Sequence, residues 1–168
     1  MDLYLDDDIA DIADPLDMVE AVFSDDDRFA VERGEDGDVH FSLARNWADV
    51  AGYVSYRAEL PALLFTLGFD MRAPQNRIAD AVRLAAMINE TLWLGHFDVW
   101  TDDGSIVFRH SIPMIGRDEV SVGEIQALCA AILDAAERFH PAFQFLLHAG
   151  ATAEEASAAA MFETAGEA

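Results

Sequence analysis

Apolar positions along the chain change period several times, and each change marks an element. Leu16, Val19 and Phe23 recur at helical spacing behind Asp14-Pro15, where Asp suits an N-cap and Pro the first helical position. A helix of about three turns is predicted there, ended by Asp25-Asp26-Asp27. From Phe29 the period is two. Phe29 and Val31, then Val39, Phe41 and Leu43 beyond the turn Gly34-Glu35-Asp36-Gly37, alternate with polar or small residues, which predicts a hairpin with His40 on its polar side. A third strand follows Arg45-Asn46-Trp47 and runs from Val50 to Arg57. The fourth, Ala62 to Met71, is the clearest, because Leu63, Phe65, Leu67, Phe69 and Met71 all fall on one face. Its other face, Leu64, Thr66, Gly68 and Asp70, is half polar, as expected of a strand covered on one side and partly covered on the other.

Helical spacing then returns. Pro74 suits a first helical position, and Ile78, Val82, Ala85, Ile88 and Leu92 line one face of a helix running to Trp93-Leu94, with Gly95 as the natural residue just past its end. Two short strands follow, around Phe97 to Val99 and Ile106 to His110, joined across Asp102-Asp103-Gly104 and closed by Pro113 and Gly116. Ser121-Val122-Gly123-Glu124 is a capping box, and Ile125, Leu128, Ile132, Ala135 and Phe139 form the buried stripe of the helix it opens. Pro141 should kink or restart that helix, because it has no N–H and clashes with the preceding turn. Phe143, Phe145, Leu146 and Leu147 make a short apolar segment stopped by Gly150, and Thr152-Ala153-Glu154-Glu155 heads an Ala-rich helix that frays at Gly166.

The predicted order is helix, four strands, helix, two strands, helix, helix. An antiparallel sheet with helices packed against one face satisfies it, an α+β architecture. At 168 residues, with no internal repeat or linker, the chain reads as one domain over residues 14–166 behind a mobile acidic tail, residues 1–13.

Charge changes the picture of partners more than of fold. The formal net charge is −22, and all ten basic residues are arginines. That imbalance repels phosphate backbones and anionic lipid headgroups, so a protein partner, in particular a basic segment, is expected rather than nucleic acid or membrane. Cys129 is the only cysteine, which excludes an intrachain disulfide, and its Ala/Leu/Ile surroundings predict a small buried residue. Met1 to Asp14 lacks the basic and apolar regions of a signal peptide, so the expected location is the cytoplasm. Glycine-rich phosphate loops, zincin helices, Cys-x-x-Cys pairs and Gly-x-Ser-x-Gly elbows are absent from the sequence, and no cofactor is expected.

The hairpin holds the one constellation that could carry chemistry. With Asp103-Gly104 as a two-residue type I′ turn, Asp98 lies opposite Arg109 and Phe97 opposite His110, giving a surface ion pair over buried Phe97, Val99 and Phe108. With a three-residue loop, His96 faces His110 and Asp98 shares their side, a set able to bind a transition metal as a facial triad. The Asp-Gly turn signal favours the first register. His140, before Pro141, and His148, near Gly150, are each placed to complement a helix C-terminus.

The run Leu84-Ala85-Ala86-Met87-Ile88-Asn89-Glu90-Thr91-Leu92-Trp93-Leu94-Gly95-His96-Phe97-Asp98 resembles the signature of the bacterial YbjN-domain family. So do Val107-Phe108-Arg109-His110, Arg138-Phe139-His140-Pro141-Ala142-Phe143-Gln144, Asp14-Pro15-Leu16-Asp17 and Leu64-Phe65. The resemblance implies a curved antiparallel sheet with helices, similar to type III secretion chaperones, and a role in regulating sensory transduction. It implies no catalytic residue, cofactor or ligand. The expectation is a non-enzymatic interaction protein, with Trp93, Trp100 and Phe143 as apolar anchors and Asp98 with Arg109 as the polar element of the contact. Its alternatives are a secretion chaperone acting as a homodimer and a metal-dependent enzyme using His96, Asp98 and His110.

Overall fold

The computed structural model describes residues 14–43 and 50–162. The acidic segment 1–13, the connection holding Arg45, Asn46 and Trp47, and the C-terminal stretch with Gly166 lie outside the described residues. The elements are α1 (Asp17–Ser24), β1 (Ala30–Arg33), β2 (Val39–Leu43), β3 (Val50–Arg57), β4 (Ala62–Arg72), α2 (Ile78–Asn89), β5 (His96–Val99), β6 (Ser105–Pro113), α3 (Val122–Asp134), α4 (His140–Ala149) and α5 (Ala153–Phe162). All six strands form one antiparallel sheet in the order β1-β2-β3-β4-β6-β5.

Strand register decides what each face presents. On one face Phe41, Gly52, Leu67, Phe108 and Phe97 lie side by side across five strands, flanked by Val39, Val54 and Phe65. This is the helix side: Phe41 contacts Phe23 of α1, Phe69 contacts His140, and Phe97 contacts Phe139 and Phe143. Leu63, Phe65, Leu67, Phe69 and Met71 are all buried, as the period-two pattern of β4 requires. The opposite face reads Ala30, Ser42, Ala51, Gly68, Val107 and Asp98 in one row and Glu32, His40, Tyr53, Thr66, Arg109 and His96 in the next. It is small and polar where the first face is large and apolar.

Local chemistry explains where the helices begin and end. Asp14 accepts the Leu16 N–H on its side chain and the Asp17 N–H on its carbonyl, which starts α1. Both capping boxes form, Ser121 with Glu124 and Thr152 with Glu155. Gly150 is left-handed (φ 72°) and stops α4. Three details differ from the sequence reading. Pro141 does not break the helix: α3 widens into one π turn, Ala135–Phe139, and continues as α4 with Pro141 in its first turn, where a missing N–H costs little. His140 therefore sits inside a continuous helical path, buried against Phe69, and not at a helix C-terminus. Secondly, α2 ends at Asn89, so Gly95 belongs to the entry of β5; its φ of 71° is imposed by the Phe108 ring, which occupies the place of a Cβ. Thirdly, α2 buries Ala81, Leu84, Ala85 and Ile88 while Val82 is exposed, a face rotated from the predicted one because small Ala81 and Ala85 permit close packing. Among the described residues no helix is long and apolar enough to cross a membrane.

Candidate functional site

The hairpin β5–β6 adopts neither of the registers that the turn signals suggest. His96 pairs with Arg109, Phe97 with Phe108, Asp98 with Val107 and Val99 with Ile106. Four residues, Thr101 to Gly104, make the loop, closed by hydrogen bonds from Gly104 N–H to the Trp100 carbonyl (2.7 Å) and from Trp100 N–H to the Ser105 carbonyl (2.9 Å). Gly104 is needed elsewhere. Its carbonyl accepts the Ala73 N–H at 2.8 Å, and a Cβ at its position would collide with the Ala73 backbone, so its left-handed conformation (φ 74°) docks the loop on the end of β4 in place of forming a type I′ turn. Asp103 stabilises the loop by accepting from the Ser105 N–H and Oγ at 3.0 and 2.7 Å, which holds its carboxyl below the usual range.

Side chains follow the register. Asp98 and Arg109 do form an ion pair, Nη1 to Oδ2 3.3 Å, but as diagonal and not directly opposed neighbours. His96 and Asp98 share the face away from the helices, while His110, two residues beyond Phe108, points to the helix side opposite Phe65. The three residues of the metal alternative thus do not converge on one face, and among the described residues no group of three or more His, Cys, Asp or Glu is placed to hold a metal ion. Burial, with the neighbouring His96 charge second, pushes the His110 pKa down.

The predicted apolar anchors separate in the same way. Phe143 has no exposed surface; it packs on Phe97 in the core and cannot touch a partner. Trp93 (77% exposed) and Trp100 (42%) are on the surface at either end of β5. Trp100 joins Tyr53, Thr66, Gly68 and Val107 around a recess of about 260 Å³ on the sheet face away from the helices. Trp93 stands on the α2–β5 connection and does not line it.

A larger recess lies on the other side of the molecule, where sequence reasoning placed nothing. Between α1 and α3 a groove of about 970 Å³ is floored by Met18, Ala21, Val22, Cys129, Ala130 and Leu133. Asp25, Asp26, Asp27, Asp134 and Glu137 border it, with Arg28 as the one cation of its lining. The signal for it is present in the chain: Met18, Ala21, Val22 and Asp25 form a second stripe on α1 beside the buried Leu16, Val19 and Phe23. Arg28 is clamped by Asp26 through Nε and Nη2 at 2.8 and 2.6 Å. Burial, with the nearby Asp26 charge second, raises the Cys129 thiol to about 12, so it is an inert apolar surface. No cation among the described residues pairs with Asp25 or Asp27.

Elsewhere the arginines are paired, and exposed carboxylates such as Glu90 and Asp102 also have no cation partner among the described residues. Every described arginine lies within 4 Å of a carboxylate, among them Arg33, whose guanidinium gathers Asp14, Asp17 and Glu20 and ties α1 to β1. The carboxylates whose pKa values are clearly lowered are held by turns, caps and arginines: Asp36 by the Asp38 N–H, Glu124 by Ser121, and Glu154 by its own backbone N–H and Arg83. These perturbations have structural causes and do not mark a reaction centre.

A search of curated proteins finds no match. A family model, YbjN, described as "Putative bacterial sensory transduction regulator", matches residues 15–145, from the start of α1 into α4. That span covers the sheet, both walls of the groove and the hairpin, and the chain belongs to the YbjN family.

Proposed function

We propose that this protein is a regulator that acts by binding a partner polypeptide in the groove between α1 and α3, and not by catalysis. One observation carries the reading: a recess of about 970 Å³ has an apolar floor, Met18, Val22, Ala130 and Leu133, open between two helices and bordered by carboxylates. An apolar floor rimmed by polar residues is the arrangement that interaction surfaces share. The family's description as a regulator of sensory transduction points the same way. Trp100 and the Asp98–Arg109 pair, which the sequence singles out, make a smaller second surface whose charges already neutralise one another.

The test is site-specific photo-crosslinking in cells of the native host, with the photoreactive residue at Gln126 in the groove or at Tyr53 on the sheet face away from the helices. Discrete protein adducts from position 126 and few from 53 are expected. Adducts from position 53 alone would move the working surface to the sheet.

A further inference from the structure

The groove has a polarity along its length that its volume alone does not convey. At the C-terminal end of α1, Asp25 is the capping residue and Asp26 and Asp27 follow it, with no basic residue in the last turn. Midway along the helical path from α3 into α4, Asp134 and Glu137 reach the same recess, with Asp134 paired to Arg138 at 3.1 Å. The C-terminus of α1 carries partial negative charge, so Asp25, Asp26 and Asp27 stand where that helix disfavours them, while Asp134 and Glu137 add carboxylates to the same recess from within a continuous helical path. Arg28 lines the same recess as Asp26 and Glu137, which brings the two acidic stretches into one place. This end of the groove already holds one guanidinium, and among the described residues no cation pairs with Asp25 or Asp27.

The other dimension is apolar. Met18 and Val22 are successive turns of one helix, and Gln126, Ala130 and Leu133 are successive turns of the other, so the floor follows one ridge along α3, about 20 Å, beside a shorter one along α1, about 12 Å at 1.5 Å per residue. A wall made of helices offers an extended chain no free backbone N–H or C=O groups to pair with. It does offer a channel between ridges into which a third helix packs its side chains.

We propose that the groove docks an amphipathic helix of the partner protein, its apolar face on Met18, Val22 and Leu133 and a cluster of Lys or Arg at one end against Asp25, Asp27 and Glu137. This inference rests on the reading of the α1–α3 groove as the binding surface and adds the chemistry and conformation of the occupant.

The experiment titrates the full-length protein into three fluorescein-labelled peptides and reads anisotropy at low and high salt. The first is an 18-residue Ala/Leu helix with Leu on one face and three Lys in its last turn. Another has the same composition scrambled to destroy amphipathicity, and the third copies residues 1–13 of this chain. The ordered basic peptide is expected to bind at least tenfold more tightly than the other two and to weaken as salt rises. Ala130→Trp, which fills the exposed floor, is expected to abolish that binding. Asp25→Asn with Asp27→Asn is expected to weaken it at least fivefold, while Glu90→Gln with Asp102→Asn, an equal charge change on exposed residues remote from the groove, leaves it unchanged. Equal loss from both charge pairs would reduce the effect to net charge and overturn the proposal. If all three peptides bind alike and Ala130→Trp blocks each, the groove takes polypeptides but the helical basic occupant is wrong. Tight binding of the 1–13 peptide would assign the groove to the chain's own segment, and a dimer in sedimentation that Ala130→Trp dissociates would assign it to a second copy; either overturns the proposal. Binding of the basic peptide unaffected by Ala130→Trp removes the groove reading itself.

Discussion

The hairpin β5–β6 and the groove between α1 and α3 handle polar groups in opposite ways. At the hairpin the central polar groups are answered within the chain: Asp98 by Arg109, Asp103 by Ser105 and Arg72, and the outward backbone of Phe97 by Asn89. Asn89 donates to the Phe97 carbonyl at 3.0 Å and accepts the Phe97 N–H at 2.7 Å, standing in for a neighbouring strand. Edge strands left open recruit other chains, and this one is closed by the last residue of α2. At the groove, by contrast, Asp25 and Asp27 have no counter-charge among the described residues and oppose a helix dipole. The lesson is that the stretch richest in distinctive residue types is structural, while the surface with unanswered charge is assembled from residues that look ordinary one at a time.

The largest expected effect comes from a residue that the sequence places at a contact surface. Phe143→Ala removes a fully buried ring packed on Phe97 and should cost about 3–5 kcal/mol in urea unfolding; a loss below about 1 kcal/mol would mean that the ring is not core. Next is Asn89→Ala, which strips both backbone partners of Phe97 and should cost about 1–3 kcal/mol. It should also give concentration-dependent self-association in sedimentation, and a monomer at every concentration would show that the β5 edge needs no such closure.

Acid should expose the buried histidines. Burial lowers the pKa of both His110 and His140 below their ordinary 6.5. The unfolded chain therefore binds more protons than the folded one once pH drops through that value, so stability present above about pH 6.5 declines as pH falls toward the folded-state pKa values. Denaturation midpoints between about pH 7 and about pH 5 should fall, and His110→Gln should flatten the slope. An unchanged slope would mean that His110 is not charged to any greater extent on unfolding. Smaller again is Asp98→Ala: the pair with Arg109 is nearly half exposed on both sides, so its loss should cost at most about 1 kcal/mol. A cost above about 2 kcal/mol would give the hairpin pair an importance that its exposure does not support.

Much of the fold was legible because its signals are local. The alternation from Leu63 to Met71, the boxes at Ser121 and Thr152, and the stop at Gly150 each act within a few residues and appear where predicted. What sequence could not supply was set by tertiary contact. Asp103-Gly104 carries a strong two-residue turn signal, but Gly104 is used to approach Ala73, a contact 31 positions away, and the hairpin register moves with it. Pro141 looks like a break until a π turn absorbs it. Phe143 and Trp93 are equally plausible anchors on paper; only packing sends one to the core and the other to the surface. The groove escaped notice for a related reason: Asp25 and Leu133 become neighbours of one recess only when α1 and α3 are brought together.

The most direct test pairs stability with binding in one variant. Asp25→Asn with Asp27→Asn removes two charges that the end of α1 disfavours, so the variant should be more stable than the parent by about 0.5 kcal/mol in urea. In the same preparation it should bind the Lys-tipped amphipathic peptide at least fivefold more weakly. A variant that is less stable, or one that binds the peptide as well as the parent does, would contradict the claim that this end of the groove is kept acidic for a partner.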